Sequence, residues 1–298
     1  MQITSRKSRR SARANRLITA IAVLWFSAFT CHGQIQMQWD SLPHSDRFEN
    51  FDPQFIASHD IKTIRAKISQ KDEYYPIKQT GESLYFKFYR DGNLKTFRSK
   101  RWRSSDSIRI DLEYNDRSQL IKKREVDLFG PYIYQYQYTR NKVDKAFITR
   151  PAKYYYEPEQ YSFTNKKYDD KTLQQISYDD MGNRVYRVLK KRNKNGDLIL
   201  YIKDYYASKK RIEYNWEYQN SRIEVLSVTE TSQLGETKTT KYQFIYENKK
   251  IDQIEVFENG ELVRHHEYLY KKGILDARIS KEESTNRITI IEFDYTFY

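Results

Sequence analysis

One phrase recurs along this chain: an aromatic residue, a few polar residues usually including Gly or Asn, then an aliphatic residue. It reads Tyr89-Arg90-Asp91-Gly92-Asn93-Leu94, then Tyr178-Asp179-Asp180-Met181-Gly182-Asn183-Arg184-Val185, then Phe257-Glu258-Asn259-Gly260-Glu261-Leu262. Looser copies follow Tyr114, Tyr138, Tyr218, Tyr246 and Tyr270. Each copy sets a turn former between two segments rich in Tyr, Phe, Ile and Val, which is the sequence form of a β-hairpin. The flanking segments alternate. Ile212, Tyr214, Trp216 and Tyr218 share one face, with Arg211, Glu213, Asn215 and Glu217 on the other, as in half-buried antiparallel strands.

The spacing of the phrases sets the architecture. Tyr246, Phe257 and Tyr270 are 11 and 13 residues apart, while Tyr89, Tyr114 and Tyr138 are 25 and 24 apart. One strand plus one turn takes about 12 residues, so the longer interval is a whole hairpin. With 27 Tyr and no sustained 3.6-residue apolar stripe, the chain reads as all-β. The expectation is an antiparallel meander of repeated β-hairpins, roughly 14 to 18 strands, forming a wide twisted or curled sheet that is open or solenoid-like. A short N-terminal helix is expected within Asp52 to His59, with Asp52 as N-cap and Pro53 at the first helical position, covering an open sheet edge.

The N-terminus reads as an export signal. Residues 1–16 carry six basic side chains and no acidic one, and they lead into the apolar run Leu17 to Thr30, too short to cross a membrane. The expected organisation is a signal peptide over residues 1–33, an N-terminal segment with the short helix over 34–60, and a β-hairpin repeat domain over 61–298. Cleavage before Gln34 removes Cys31, the one cysteine, so no disulfide forms in the mature chain. The alternative is lipidation of Cys31, although Ala28-Phe29-Thr30 is a poor lipobox. Localisation is expected to be periplasmic, cell-surface or secreted.

Removing residues 1–33 takes Lys plus Arg from 53 to 47 while Asp plus Glu stays at 40, so the net charge falls from +13 to +7. The remaining basic doublets lie at or near expected turns, with no contiguous stripe, and nucleic acid is not expected as a partner.

The phrase at Tyr178 to Val185 resembles the YD repeat of Rhs and teneurin-type proteins: Tyr-Asp, two residues, Gly, a polar residue, then a hydrophobic strand. The Tyr89 and Phe257 copies resemble aromatic-x-x-Gly-x-Leu units of MORN-like repeat proteins. The chain as a whole is similar to small exported YD-like repeat proteins of Bacteroidetes-type bacteria. The resemblance covers about residues 61 to 298 and implies a strand-turn-strand repeat fold, with no activity attached. The chain lacks the length and toxin-like tail of Rhs proteins and the flanking glycines of the MORN pattern.

No HExxH, Gly-x-Ser-x-Gly or Gly-rich phosphate loop is present, and no cofactor or metal is expected. His265 and His266 are adjacent, so on a strand they point to opposite faces and do not chelate one ion; one is expected at the surface and the other beneath aromatics. Asp179-Asp180 is the tempting carboxylate pair for a carbohydrate-active hydrolase, but it sits inside a turn phrase, where Asp bonds its own backbone. The chain is therefore read as non-enzymatic.

The Tyr runs carry the best functional hint. In Tyr154-Tyr155-Tyr156 and Tyr205-Tyr206, at least one ring faces away from the core if the segment is extended. Such rings, with nearby Lys and Arg, are candidates for binding a glycan or an envelope protein. The expected function is a cell-envelope binding or scaffolding module. A small outer-membrane β-barrel is the third class, weighed against by 31% charged residues and by strands read as shorter than the 9 to 11 residues that crossing takes.

Overall fold

Eighteen antiparallel strands follow one another around a closed ring in the computed structural model, which describes residues 51–100, 107–128, 130–140, 142–149 and 159–298. A short helix α1 (Pro53–Ser58) precedes β1 (Ile61–Lys71), β2 (Lys78–Phe88), β3 (Leu94–Lys100), β4 (Ile108–Tyr114), β5 (Leu120–Asp127) and β6 (Gly130–Thr139). The chain continues through β7 (Lys142–Thr149), β8 (Glu159–Lys167), β9 (Thr172–Tyr178), β10 (Arg184–Arg192), β11 (Leu198–Tyr205) and β12 (Arg211–Gln219). It ends with β13 (Arg222–Thr231), β14 (Thr237–Glu247), β15 (Lys250–Glu258), β16 (Glu261–Lys271), β17 (Ile274–Glu282) and β18 (Ile288–Phe297). Every strand pairs with its sequence neighbours, and β1 pairs with β2 on one side and β18 on the other.

This closure corrects the expectation of an open, curled or solenoid-like sheet. The seam runs in continuous register from Thr63 opposite Thr296 to Lys71 opposite Ile288. It is reinforced by a Thr63–Thr296 hydroxyl bond of 2.6 Å and a Lys67–Asp294 ion pair of 3.0 Å. Closure satisfies the row of N–H and C=O groups that an open meander leaves bare on its first and last strands. The strands are 7 to 11 residues long, and twelve of the eighteen reach the 9 to 11 that most of them were expected to fall short of.

Alternation sorts the wall into two faces. On β1, Ile64 and Ala66 are fully buried, whereas the side chain of Lys67 is 64% exposed. The buried parity continues across the ladder through Phe86, Phe97 and Ile110, which pair in turn. This inner face forms one hydrophobic cluster running from Phe86 through Trp216, Leu226 and Phe244 to Phe293. The outer face around β1 to β5 carries Arg65, Lys67, Lys87 and Arg98, while the inner face also takes charged side chains, among them the Lys123–Glu125 ion pair at 2.8 Å.

The turn phrase does what its residues predict. In Tyr89 to Leu94, Tyr89 N donates to Asn93 O at 2.9 Å, and the Asp91 carboxylate accepts from Asn93 N at 3.0 Å. Asp179 repeats this with Asn183 N at 2.7 Å. Because the strands alternate in direction, the turns fall at two ends of the barrel. Even strands finish, and odd strands begin, at the end that also holds α1, here the helix end; the other turns form the far end.

At the helix end the last Tyr of an even strand stitches neighbouring hairpins together. The hydroxyls of Tyr138, Tyr218, Tyr246 and Tyr270 donate to the carbonyls of Leu120, Leu198, Ile223 and Ile251, all between 2.8 and 3.0 Å. Each hairpin also carries a bulge at that Tyr, opposite the aliphatic residue that closes the phrase. Tyr298 completes the series across the seam, donating its hydroxyl to Phe88 O at 2.6 Å and its N–H to Asp60 O at 2.9 Å.

The helix forms where expected, with Asp52 accepting from Gln54 N at 2.8 Å. It has no open edge to cover. Instead Phe55 and Ile56 are buried, and Phe51 meets Phe86 edge-on at 4.9 Å, Phe88 at 5.9 Å and Phe293 at 6.5 Å. Gly92 seats this segment: its φ is +84°, and a Cβ there would lie 1.8 Å from Pro53 O. Gly182 has φ +81° with nothing within 4 Å. Gly182→Ala is thus expected to cost about 1–3 kcal/mol from backbone strain alone. Gly92→Ala should lower the thermal midpoint by clearly more, because it also displaces α1. Equal midpoints for the two variants would show that the helix contact contributes nothing.

Candidate functional site

The outer face of β1 to β5 carries a groove of about 920 Å³ lined by seven basic and two acidic side chains. Its floor is a row of directly opposed residues on adjacent strands: Arg65 on β1, Tyr85 on β2, Arg98 on β3 and Arg109 on β4. Both Arg65 and Arg98 place their guanidinium carbon 5.8 Å from the Tyr85 ring centre. The sequence builds this row by period-two alternation: each residue is one position removed from a buried apolar side chain, so its own points outward.

The two carboxylates are already engaged. Asp111 binds Arg109 Nε at 2.8 Å and accepts from Thr96 Oγ1 at 3.0 Å, while Glu113 pairs with Lys122 at 3.0 Å. Among the described residues, Arg65, Lys87, Lys95, Arg98, Lys100 and Arg124 line the groove without a carboxylate partner. Lys95 instead lies 4.9 Å over the ring of Tyr89, whose hydroxyl donates to Leu112 O at 3.3 Å. Burial, then the nearby charges of Glu113, Asp91 and Asp111, raises the Tyr89 pKa, so this phenol stays neutral in the groove. Arg98 directly opposite Arg109 is a like-charge cross-strand pair, a destabilising arrangement that a bound anion would relieve. The groove is suited to holding an extended anion over an aromatic floor.

The sequence-predicted Tyr residues lie elsewhere. Tyr205 is on the inner face, its ring 6.3 Å from that of Tyr186, with the Lys203 ammonium 4.5 Å from the first centroid of that pair's Tyr186 and 4.7 Å from Tyr205. Tyr206 turns outward, 39% exposed, with Arg184 at 5.9 Å from its ring. Neither reaches the groove. Tyr154, Tyr155, Tyr156 and Cys31, with the whole export signal, lie outside the described residues. The groove residues went unnoticed because Arg65, Tyr85 and Arg98 are scattered over 34 positions and meet only through strand register.

The histidines separate as expected. His266 faces inward, its Nδ1 2.7 Å from Ser280 Oγ, and His265 takes the opposite face. Burial, then Arg278, Arg264 and His265, lowers the His266 pKa to about 3. Asp179 is held below the usual carboxylate range, first by the Asn183 amide, the reverse of what a general acid requires. Among the described residues no group of three His, Cys, Asp or Glu is placed to hold a metal ion.

The closed ring is what the outer-membrane alternative requires, and the inner face, apolar around Phe86 and Phe97, also carries Lys123, Glu125, Lys203, Arg264 and Arg278. No protein-family model and no curated protein matches the sequence. Among solved structures, the chain is similar to a porin-like protein from Bacteroides uniformis, with 10% identity over 79% of this chain and 98% of that one and a TM-score of 0.41. A porin-like protein from Bacteroides vulgatus gives 9% identity over 77% of this chain and 97% of that one, with a TM-score of 0.35. A LolA-superfamily protein from Nitrosomonas europaea gives 10% identity over 80% and 87%, with a TM-score of 0.20. At these TM-scores the functional reading rests on the barrel's own residues.

Proposed function

We propose that the chain is a non-catalytic binding barrel of the cell envelope that holds an acidic glycan in the β1 to β5 groove. The observation that carries this is the Arg65–Tyr85–Arg98 row, two guanidiniums flanking one ring with no carboxylate partner of their own. Carboxylates or sulfates along a polysaccharide would bridge the guanidiniums, and Tyr85 supplies an apolar floor for a sugar ring. The export signal read in residues 1–33 supports an envelope setting.

Titration calorimetry with polygalacturonate is expected to show binding that weakens with salt, and neutral dextran is expected to show none. Charge-assisted hydrogen bonds contribute about 1.5–3 kcal/mol each. Arg65→Gln with Arg98→Gln should therefore weaken the acidic polymer by roughly a hundredfold or more. A double variant that binds like the parent chain would sink this reading.

A further inference from the structure

Along the wall from β9 to β17, the two ends of the barrel differ in a way the groove does not explain. At the helix end, the turns joining β10–β11, β12–β13, β14–β15 and β16–β17, with two strand residues on each side, span residues 191–199, 218–223, 246–251 and 270–275. They hold eight basic and two acidic side chains. No exposed large hydrophobic residue occurs among them. At the far end, four turns of the same part of the wall, with two strand residues on each side, span 177–185, 204–212, 230–238 and 257–262, and hold five basic and seven acidic side chains. Each carries one exposed apolar side chain: Met181, Tyr206, Leu234 and Leu262.

Chance solvation of turns does not produce this asymmetry, because both sets belong to the same strands and meet the same solvent. The cations at the helix end are also held in place. Arg222 and Lys250 sit 5.4 and 4.9 Å over the rings of Tyr246 and Tyr270, the residues whose hydroxyls stitch the rim. Lys249, Lys271 and Lys272 stand exposed beside them. The strands lie side by side at a spacing of about 4.8 Å, so four successive turns spread these cations over an arc of roughly 30 Å. A single small anion does not use an arc that wide; a sheet of negative charge does.

We infer that the helix end docks on an anionic lipid headgroup surface, with the barrel axis upright and the far end directed away from it. Charge complementarity is the driving term; the four turns carry no exposed large apolar side chain, and the exposed Tyr168, Phe297 and Tyr298 of this end lie after β8 and at the end of β18. Phe51 and α1 lie at this same end. In this pose the β1 to β5 groove stands on the side wall, open to a ligand. The inference does not depend on what that groove binds.

The test compares two charge reversals of equal size in the full chain, so that the export signal contributes equally to both. Lys271→Glu with Lys272→Glu alters the helix end; Lys209→Glu with Lys210→Glu alters the far end. Co-sedimentation with phosphatidylcholine vesicles containing phosphatidylglycerol is read against vesicles of phosphatidylcholine alone. Each cation near an anionic surface is worth about fivefold in affinity. The helix-end reversal is expected to weaken binding to the mixed vesicles by roughly 25-fold or more, and the far-end reversal by less than about threefold. Equal losses would mean that net charge alone matters and would overturn the docking pose, as would no loss in either. Should the helix-end reversal lower the thermal midpoint, Lys249→Gln with Lys272→Gln repeats the comparison, and undiminished binding there also overturns it. Arg65→Gln with Arg98→Gln is expected to leave vesicle binding unchanged. If that variant loses vesicle binding while Lys271→Glu with Lys272→Glu keeps it, the lipid contact belongs to the groove and the inference fails.

Discussion

Phe86→Ala is expected to lower the melting temperature by roughly 6–20 °C, the largest effect of any single truncation proposed for this barrel. Its side chain is fully buried at the point where three elements meet: Phe51 stands edge-on at 4.9 Å, Phe97 lies across the ladder at 5.2 Å, and Ile64 is its partner on β1. Removing a buried Phe costs about 3–5 kcal/mol, lost transfer free energy plus the cavity left behind. One kcal/mol moves the midpoint of a domain this size by about 2–4 °C. Little relaxation is available, since β1 and β2 are clamped by ladders on both sides and α1 is held at Gly92. Lys87→Ala, one position along and on the outward face, is the control and should shift the midpoint by no more than about 2 °C. Equal shifts for the two variants would contradict the inner and outer assignment of the wall.

Acid should weaken the barrel partly through His266. Its pKa is lowered to about 3 by burial and by the cations Arg278 and Arg264, with His265 adding to them. The unfolded side chain titrates near 6.5. Between these values the unfolded chain binds a proton that the folded chain refuses, so stability is lost as pH falls from about 6.5 towards 3, and the group contributes no pH dependence above that window. The loss approaches about 1.4 kcal/mol per pH unit, hence about 2 kcal/mol near pH 5. His266→Gln keeps a polar partner for Ser280 and carries no titrating proton. Its denaturant midpoint, measured from pH 7 to pH 4.5, is expected to fall less steeply than that of the parent chain. Parallel curves would show that His266 is protonated in the folded barrel or free of the Arg278 and Arg264 field.

Local features were legible wherever a single hairpin contains its own cause. The Asp91 and Asp179 turns, the Asp52 cap with Pro53, and the inward set Tyr214 and Trp216 each depend on residues within about ten positions of one another. The opposite faces of His265 and His266 follow from strand alternation alone. The groove was not legible. Arg65, Tyr85 and Arg98 become neighbours only when β1, β2 and β3 settle into one register, and a slip of one residue would send each of them to the other face. The same holds for the axial polarity: the basic doublets were visible as turn charges, but not that four successive turns present them at one end.

What the sequence determined by itself was the repeating unit: a strand-turn-strand of about 25 residues, a wet face and a dry face, and turn residues suited to positive φ. Those follow from local sterics and from alternation, which need no distant partner. The tertiary structure alone decided that the meander closes. An open sheet and a barrel share every local signal, and the choice lies in the β1–β18 seam, where Thr63 meets Thr296 across 233 residues and Tyr298 reaches Phe88. Hydrogen bonding between the first and last strands satisfies two bare edges at once, and the inner face becomes enclosed. That enclosure buries the Phe86, Phe97 and Phe293 cluster and turns the Arg65, Tyr85 and Arg98 row outward, and so creates the groove and the basic end on which the functional readings rest.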